Sequence, residues 1–171
     1  MNHQEIAKTP RLRLRTLVET DANFYLSLVN DPSFINNIRD KGLRTEEQAR
    51  HAIVQTHIEV HQQNGFSLYL IERIDDQIAI GLCGLVRRES LPGIDLGYAL
   101  LPAFVGQGYA QEACLAVIAD ARHRLQLKRL LAITSPNNAS SEKLLVKLGF
   151  KFEKSIVSDD GDAVNLSSLN L

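Results

Sequence analysis

The chain has 171 residues, of which 44% are hydrophobic and 23% charged, with a formal net charge of −1. This length fits one domain, and the composition is that of an ordinary water-soluble globular protein. The near-neutral charge argues against general nucleic-acid binding, which needs an excess of basic residues. No apolar run approaches the roughly 20 residues that span a bilayer, and the N-terminus lacks a secretory signal. We therefore expect a cytoplasmic protein without membrane contact.

The first predicted strand covers residues 11–14, where apolar and basic residues alternate, so Arg11, Arg13 and Arg15 are expected on its exposed face. Contact of these arginines with a phosphate group or with a partner is the alternative. Helical spacing follows over residues 20–29 and ends at Asn30-Asp31-Pro32. Thr45 and Gln48 form a capping box that begins a second helix, which ends at Asn64-Gly65. Its apolar stripe is predicted to contain Ala49, Ala52, Ile53 and Val60.

Three strands are predicted next, over residues 66–72, 78–86 and 94–100, followed by a helix over 107–124. A strand at 129–134, a helix at 138–148 and two strands around the turn 159–162 complete the chain. The predicted order is β-α-α-β-β-β-α-β-α-β-β, a mixed α/β fold. Because strand 94–100, its helix and strand 129–134 form a βαβ unit, these two strands should be parallel neighbours.

Several side chains outside the glycine-rich segment invite a functional interpretation that we consider weak. Cys83 and Cys114 lie in apolar segments and are expected to be buried reduced thiols rather than a disulfide or reactive thiols. His57 and His61 have metal-like spacing but no third ligand nearby, so we predict a hydrophilic helix edge and no metal site. A solvated turn is the simpler account of the acidic residues that could otherwise attract a cationic acceptor, namely Asp159, Asp160 and Asp162.

A glycine-rich turn joins the strand at 94–100 to the following helix. Gly106 and Gly108 let the backbone approach a ligand closely, and the helix N-terminus presents free N–H groups at the positive end of its dipole. The segment is neither a G-x-G-x-x-G nor a Walker A loop. By itself it is equally consistent with a phosphate cradle and with a tight strand-to-helix turn.

The second notable segment runs from residue 138 to residue 150. Asn138 or Ser140 can cap a short helix, Leu144, Leu145 and Leu148 can pack it, and Gly149 can end it. Helix formation alone explains this segment, but it does not explain why both segments occur in this order around one βαβ strand.

Together the two segments resemble the GNAT superfamily of N-acetyltransferases. Gly108 and Ala110 match the last two positions of its Arg/Gln-x-x-Gly-x-Gly/Ala loop, from which Val105 departs. Residues 138–150 are similar to its Asn-x-x-Ser/Ala and Lys-x-Gly-Phe pattern, and residues 106–113 look like the ribosomal-protein N-terminal acetyltransferase branch. The resemblance extends from Thr9 to Leu171 and implies a single GNAT domain over residues 1–171, with a mostly antiparallel mixed sheet containing one splayed parallel pair.

The resemblance implies that acetyl-CoA is the co-substrate and that no metal takes part. The pantetheine arm would lie between the splayed strands, near the backbone of Tyr98 and Leu100 and the side chains of Asn138 and Ser141. Backbone N–H groups of the turn would hold the pyrophosphate, over Val105, Gly106, Gln107, Gly108, Tyr109 and Ala110.

Catalytic roles are expected for two side chains. Many family members have a tyrosine acid where this chain has Leu145, whereas the ribosomal-protein branch uses a serine that corresponds to Ser141. Ser141 is thus the candidate donor to the thiolate, although a first-turn hydroxyl bonded to backbone is the alternative. Asp95 is the candidate base, with a solvated strand-end carboxylate as the alternative. Gly97 is expected to mark a bulge that opens the strands.

The sequence thus predicts an enzyme that moves acetyl from acetyl-CoA to a primary amine, with a protein N-terminal amine favoured by the resemblance. A small amine such as a polyamine, amino acid or aminoglycoside is the alternative acceptor. A CoA-binding sensor or interaction module without turnover is the alternative from another class. The oligomeric state stays open, a homodimer included.

Overall fold

An eight-stranded mixed sheet forms the centre of the fold. The computed structural model describes residues 2–171, and the strand order is β1-β2-β3-β4-β5-β6-β8-β7. Every neighbouring pair is antiparallel except β5 and β6, which are parallel as predicted. The strands are β1 (Glu5–Lys8), β2 (Leu12–Arg15), β3 (Leu68–Arg73), β4 (Ala79–Arg87), β5 (Ile94–Leu100), β6 (Arg129–Thr134), β7 (Lys151–Val157) and β8 (Ala163–Asn170).

Helices cover both faces of this sheet. A π-helical turn, Val54–Ile58, joins α3 to α4, and 3-10 turns cover Glu19–Asp21 and Pro102–Phe104. None of the helices in residues 2–171 is long and apolar enough to cross a membrane. The helices are α1 (Ala22–Val29), α2 (Pro32–Asn37), α3 (Glu46–Ile53), α4 (Glu59–Asn64), α5 (Tyr109–His123) and α6 (Ala139–Lys147).

Alternation along the strands divides the core into two layers, because successive side chains point to opposite faces of a sheet. On one face Tyr69 and Cys83 pack with the buried side of α5 and α6. On the other face Leu70 and Leu82 pack with α1 and α3. Cys114 of α5 lies with its Sγ 3.7 Å from that of Cys83. Both cysteines are free and buried, which confirms the prediction for them.

Two short elements were not predicted. β1 is a polar edge strand whose four residues show little hydrophobic alternation. α2 begins at Pro32, which also ends α1, because proline is favoured in a first helical turn even though it cannot continue a preceding helix. Asp31 caps α2 by accepting from the backbone N–H of Ser33 at 2.8 Å. Neither element has the length or periodicity that sequence patterns need.

The predicted second helix is interrupted by its π-helical turn, and this changes the position of His57. The capping box of Thr45 and Gln48 and the left-handed Gly65 at the end are both present. An extra residue in the π-helical turn shifts the phase of the helix. His57 consequently joins Ala49 and Ile53 among the buried residues, so the prediction of a hydrophilic edge is wrong for it.

The arginines of β2 are not all on an exposed face. Arg15 is buried, and its guanidinium nitrogens lie 2.9 Å from each carboxylate oxygen of Asp21 and 3.2 Å from Oε2 of Glu72. Arg13 pairs with Glu5 and Glu72. The expectation failed because β1 and the 3-10 turn cover β2, and neither was visible in the local pattern.

The expected bulge at Gly97 is absent. The register between β4 and β5 runs without a shift from Arg87↔Ile94 to Gly81↔Leu100, with Gly97 opposite Gly84. Glycine is needed at position 84 of that pair, because a Cβ there would lie 2.1 Å from the carbonyl oxygen of Ser67. The opening next to β5 therefore has another cause, on its β6 side.

Candidate active site

The parallel strands β5 and β6 share one ladder position and then separate. Asp95 is opposite Leu131, and no further pair follows toward the carboxyl ends. The opposite edge of β6 stays paired with β8 from Arg129 to Thr134, so β6 remains in the sheet while its β5 edge becomes free. A cleft of about 1930 Å³ opens there and reaches both faces of the sheet. Backbone groups of the last residues of β5 are therefore free on the side facing the cleft, where a ligand can use them.

The glycine-rich turn forms one end of this cleft. Gly106 and Gly108 have φ angles of +79° and +81°, the left-handed region that glycine adopts without strain. No backbone N–H from Gly106 to Gln111 donates to another group in residues 2–171, and these groups surround the N-terminus of the 15-residue helix α5. Such an array fits a pyrophosphate. Val105 is exposed, so its departure from the family pattern leaves the backbone array intact.

Arg11 supports the glycine-rich turn from a distant part of the chain. It donates to Oε2 of Glu112 at 2.6 Å and to the carbonyl of Gln107 at 3.0 Å, and its guanidinium lies 4.4 Å from the centre of the Tyr109 ring. Burial alone would raise the pKa of Glu112, but hydrogen bonds from Thr9 and Arg11 outweigh it and lower that pKa. Sequence reasoning assigned Arg11 to an exposed strand face, because nothing local connects it to a turn 96 residues away.

Two hydroxyl groups meet across the cleft. The phenol oxygen of Tyr98 on β5 lies 2.6 Å from Oγ of Ser141 in the first turn of α6. Asn138 caps α6 by accepting from the backbone N–H of Ser141 at 3.2 Å. Burial raises the pKa of Tyr98, so this phenol stays protonated and can donate. Leu145, one turn further along α6, is buried in the core. The sequence indicated each residue separately but not the contact between them.

Asp95 is a buried carboxylate with one bonded oxygen and one unbonded oxygen. It is 1% exposed, and its Oδ2 accepts from Nε of Arg88 at 3.2 Å. Its Oδ1 has no partner in the described part of the chain. Burial raises the pKa of Asp95, although the Arg88 cation opposes this effect. A solvated strand-end carboxylate, the alternative for Asp95, is therefore wrong.

The face of β5 on which Asp95 lies determines its surroundings. Ile94 and Leu96 pack toward α5, so the odd-numbered Asp95 points to the opposite face, where Ala99 packs with the helices before β3. Tyr98 lies on the α5 side. Asp95 and the Tyr98–Ser141 pair thus approach the cleft from opposite faces of β5.

The second half of the cleft is formed by residues distant in sequence. Its wall includes Tyr25, Phe34 and Ile38 and the turn between β7 and β8. Cations from the loop after α2 and from the loop after β4 also line it, namely Arg39, Lys41 and Arg88. Asp160 of that turn forms an ion pair with Arg39. Asp159 accepts from the backbone N–H of Ser90 at 3.1 Å. The acidic turn is therefore tied to neighbouring loops, which a purely solvated turn would not be.

No group of three or more His, Cys, Asp or Glu side chains within residues 2–171 is arranged to hold a metal ion. His57 packs edge-on against Tyr25, with ring centres 5.2 Å apart. His61 packs in the same way against Tyr69, at 5.9 Å. Both rings therefore pack against aromatic side chains, and neither ring nitrogen of His57 has a hydrogen-bond partner within residues 2–171.

Comparison with known proteins agrees with this geometry. Residues 11–151 match the acetyltransferase (GNAT) domain family. The chain is 29% identical to the protein YkkB of Bacillus subtilis (strain 168) over 163 residues, which are 91% of each chain. It is 30% identical to the N-acetyltransferase p20 of Bacillus licheniformis over 152 residues, covering 87% of this chain and 84% of p20.

A solved structure with the same fold is the coenzyme A complex of RimL, a ribosomal L7/L12 α-N-protein acetyltransferase. It superposes with a TM-score of 0.85 at 20% identity and covers 98% of each chain. The eight-stranded sheet, the single parallel pair and the family match lead to one conclusion: this chain belongs to the GNAT family of acetyltransferases.

Proposed function

We propose that this enzyme acetylates a protein N-terminal amine with acetyl-CoA. The observation that carries the proposal is the separation of β5 and β6 directly after Asp95↔Leu131. One cleft is therefore lined by the free N–H groups before α5, by the Tyr98–Ser141 hydroxyl pair and by the buried Asp95. Acetyl-CoA supplies the acyl group and a thiolate leaving group, and the residues that would hold it are Leu100, the turn from Val105 to Ala110, and Asn138.

Asp95 serves as the general base in this proposal. An amine attacks only in its neutral form, and it must lose a proton as the new C–N bond forms. A carboxylate whose pKa is raised by burial is a better proton acceptor than an ordinary aspartate. The unbonded Oδ1 is the atom assigned to this step, since Oδ2 is occupied by Arg88.

In this proposal the Tyr98–Ser141 hydroxyl pair stabilises the sulfur of the leaving CoA thiolate. When the amine nitrogen bonds to the acetyl carbon, the C–S bond breaks and its electron pair remains on sulfur. Ser141 donates a hydrogen bond to that sulfur and is oriented by its own hydrogen bond with Tyr98. The proton that Asp95 takes from the amine is released to solvent, and the thiolate takes up one proton from solvent. The balance is one amide and one free thiol per amine and thioester. Backbone N–H groups at the free edge of β5 polarise the carbonyl.

Support for a protein acceptor comes from the fold it shares with RimL, which acts on ribosomal L7/L12. A cytoplasmic location and a homodimer stay predictions. A small amine is the second candidate acceptor, because the cleft is wide and reaches both faces of the sheet.

The test is thiol release from acetyl-CoA with peptides that begin with Ser or Ala and with a panel of small amines. Ser141→Ala, Tyr98→Phe and the double variant are compared with the wild type. We expect turnover with peptide acceptors and a loss of roughly tenfold to a hundredfold in kcat for Ser141→Ala, the scale of one hydrogen bond to a charged group. The double variant should lose less than the product of the two single effects, because the hydroxyls act as one unit.

Turnover with small amines alone would replace the protein acceptor by the second candidate. Binding of CoA without turnover of any acceptor would contradict the enzyme assignment and favour a sensor.

A further inference from the structure

Three of the cations that line the cleft lie in loops of its second half, the acceptor half, and one of these three has no carboxylate partner within residues 2–171. Arg39 pairs with Asp160, and Arg88 pairs with Asp95. Lys41, in the loop between α2 and α3, lines the same cleft and forms no ion pair within residues 2–171. An isolated ammonium group at a ligand-sized cleft is an attachment point for an anion.

The surroundings of Lys41 disfavour its own charge. Its pKa is lowered, first because the cleft walls remove part of its hydration and then because Arg39 and Arg88 repel it. Asp160 opposes this effect, but its carboxylate is already bound to Arg39. The ammonium retains contact with solvent, since the side chain is exposed to the open cleft. A negative group placed beside Lys41 would replace the lost hydration and relieve the repulsion.

His57 lies in the wall of the same cleft, beneath the surface. It is 5% exposed, and neither ring nitrogen has a hydrogen-bond partner in the described part of the chain. Its pKa is lowered to about 4, by burial first and by the charge of Lys41 second. The ring is therefore neutral near pH 7 and has one N–H donor free. Buried polar atoms normally have partners, so unbonded nitrogens at a ligand cleft indicate a place for a polar ligand group.

We propose that Lys41 and His57 form a carboxylate subsite in the acceptor half, so that the acceptor is an amine that also carries a carboxylate. This rests on the acetyltransferase function proposed above and narrows its acceptor class. Lys41 provides the charge, and His57 is the neutral hydrogen-bonding side chain behind it. The apolar wall formed by Tyr25, Phe34 and Ile38 accommodates the carbon skeleton between the two groups. Polyamines and aminoglycosides, which carry no carboxylate, would leave this subsite empty.

The carboxylate has two sources that share this chemistry. It can be the α-carboxylate of a free amino acid, or the side chain of an acidic residue next to a peptide's N-terminus. The assay therefore uses two matched pairs of acceptors, serine against serinamide and a Ser-Asp peptide against its Ser-Asn equivalent. The measured quantity is the ratio of kcat/KM within each pair, with each value referred to the concentration of neutral amine, because a carboxylate raises the pKa of the neighbouring ammonium group.

The wild type should prefer the carboxylate member of one pair by roughly tenfold, the scale of one charge-assisted hydrogen bond. Lys41→Met should reduce that ratio to near one, and Lys41→Arg should keep most of it. His57→Phe retains the ring against Tyr25 and should reduce the ratio by a smaller factor. Lys128→Met, on the exposed surface outside the cleft, is the control that should leave the ratio unchanged.

Equal rates within both pairs for the wild type, or a preference that survives Lys41→Met, would overturn the subsite. A failure of the acetyltransferase proposal would look different, since no acceptor would then release thiol. In that case the carboxylate subsite is measured by calorimetric binding of the N-acetylated Ser-Asp and Ser-Asn peptides with CoA present. A preference for the acidic peptide that Lys41→Met removes would support the subsite, and equal affinities would reject it.

Discussion

The two halves of the cleft are constructed in different ways. The half that the proposed function assigns to CoA, the CoA half, consists mainly of backbone from two contiguous stretches, residues 98–110 and 138–150. The acceptor half consists of side chains from α1, α2, the π-helical turn, the loop after β4 and the β7–β8 turn. Backbone recognition depends on glycine positions and helix ends, which local sequence determines. Side-chain recognition depends on which segments meet, and only packing determines that.

The largest expected effect tests whether the buried carboxylate of Asp95 takes part in catalysis or only stabilises the fold. Asp95→Asn should lower kcat by roughly 10²–10⁴, the usual contribution of a general base. It should not lower the melting temperature, because it removes a buried charge whose pKa is raised by burial. Steady-state kinetics and thermal unfolding of the same preparation measure both effects. A loss of activity that follows a loss of stability would assign Asp95 to structure instead.

Removing Arg88 provides a pH-dependent check on the same carboxylate. Arg88 lowers the pKa of Asp95 against the effect of burial, so Arg88→Gln should raise that pKa further. The acidic limb of the kcat/KM profile should then move to higher pH, because the base must be deprotonated. An unchanged limb would mean that another group titrates in catalysis.

The next effect concerns the stability of the acceptor half, where His57 is buried without hydrogen bonds. Its pKa in the folded protein is about 4, below the value of 6.5 for an unperturbed histidine. Protonation therefore favours unfolding: the stabilising contribution is complete above pH 6.5 and is lost as the pH falls toward 4. Between pH 7 and pH 4 the free energy of unfolding of the wild type should therefore fall by about 3 kcal/mol because His57 takes up a proton on unfolding.

Denaturant unfolding from pH 7 down to pH 4 measures this loss in the wild type and in His57→Phe. The phenylalanine variant should lose less stability over that interval, whereas the exposed His51→Phe should behave like the wild type. Parallel curves for the wild type and His57→Phe would contradict a neutral buried imidazole.

A smaller effect tests whether the backbone of the glycine-rich turn binds acetyl-CoA. Gly108→Ala forces a side chain into a left-handed residue and brings its Cβ to 3.3 Å from Nη2 of Arg11. The backbone strain is about 1–2 kcal/mol, which corresponds to roughly a fivefold to thirtyfold rise in KM for acetyl-CoA. Gly65→Ala carries the same kind of strain at the end of α4, away from the glycine-rich turn. It should lower stability without changing that KM; equal KM changes in both variants would assign the effect to folding.

The smallest effect comes from the side chain that supports the glycine-rich turn. Arg11→Gln should raise the KM for acetyl-CoA only a few-fold, because a partly exposed ion pair contributes at most about 1 kcal/mol. The difference from wild type should shrink at high salt, since screening weakens exposed charges. A much larger change would mean that Arg11 contacts a phosphate directly.

Most strands and helices could be predicted because hydrophobic periodicity and helix ends are local properties. The bounds of β5 and β6 and the parallel pairing between them agree with the sequence prediction. β1 and α2 were missed because four and six residues give too little periodicity. The burial of His57 was predicted wrongly because the π-helical turn shifts the phase of the helix. An extra residue inside a helix has no sequence signature.

Local sequence specifies the backbone features of the proposed CoA site. The left-handed glycines, the N-terminus of α5 and the Asn138 cap are each encoded within a few adjacent residues. Tertiary structure alone decided the contacts between side chains, including Tyr98 with Ser141 across 43 positions. It also decided that Asp95 is buried and that Lys41 has no ion-pair partner within residues 2–171. Burial and ion pairing depend on which distant segments fill the space around a group, and no local pattern records that.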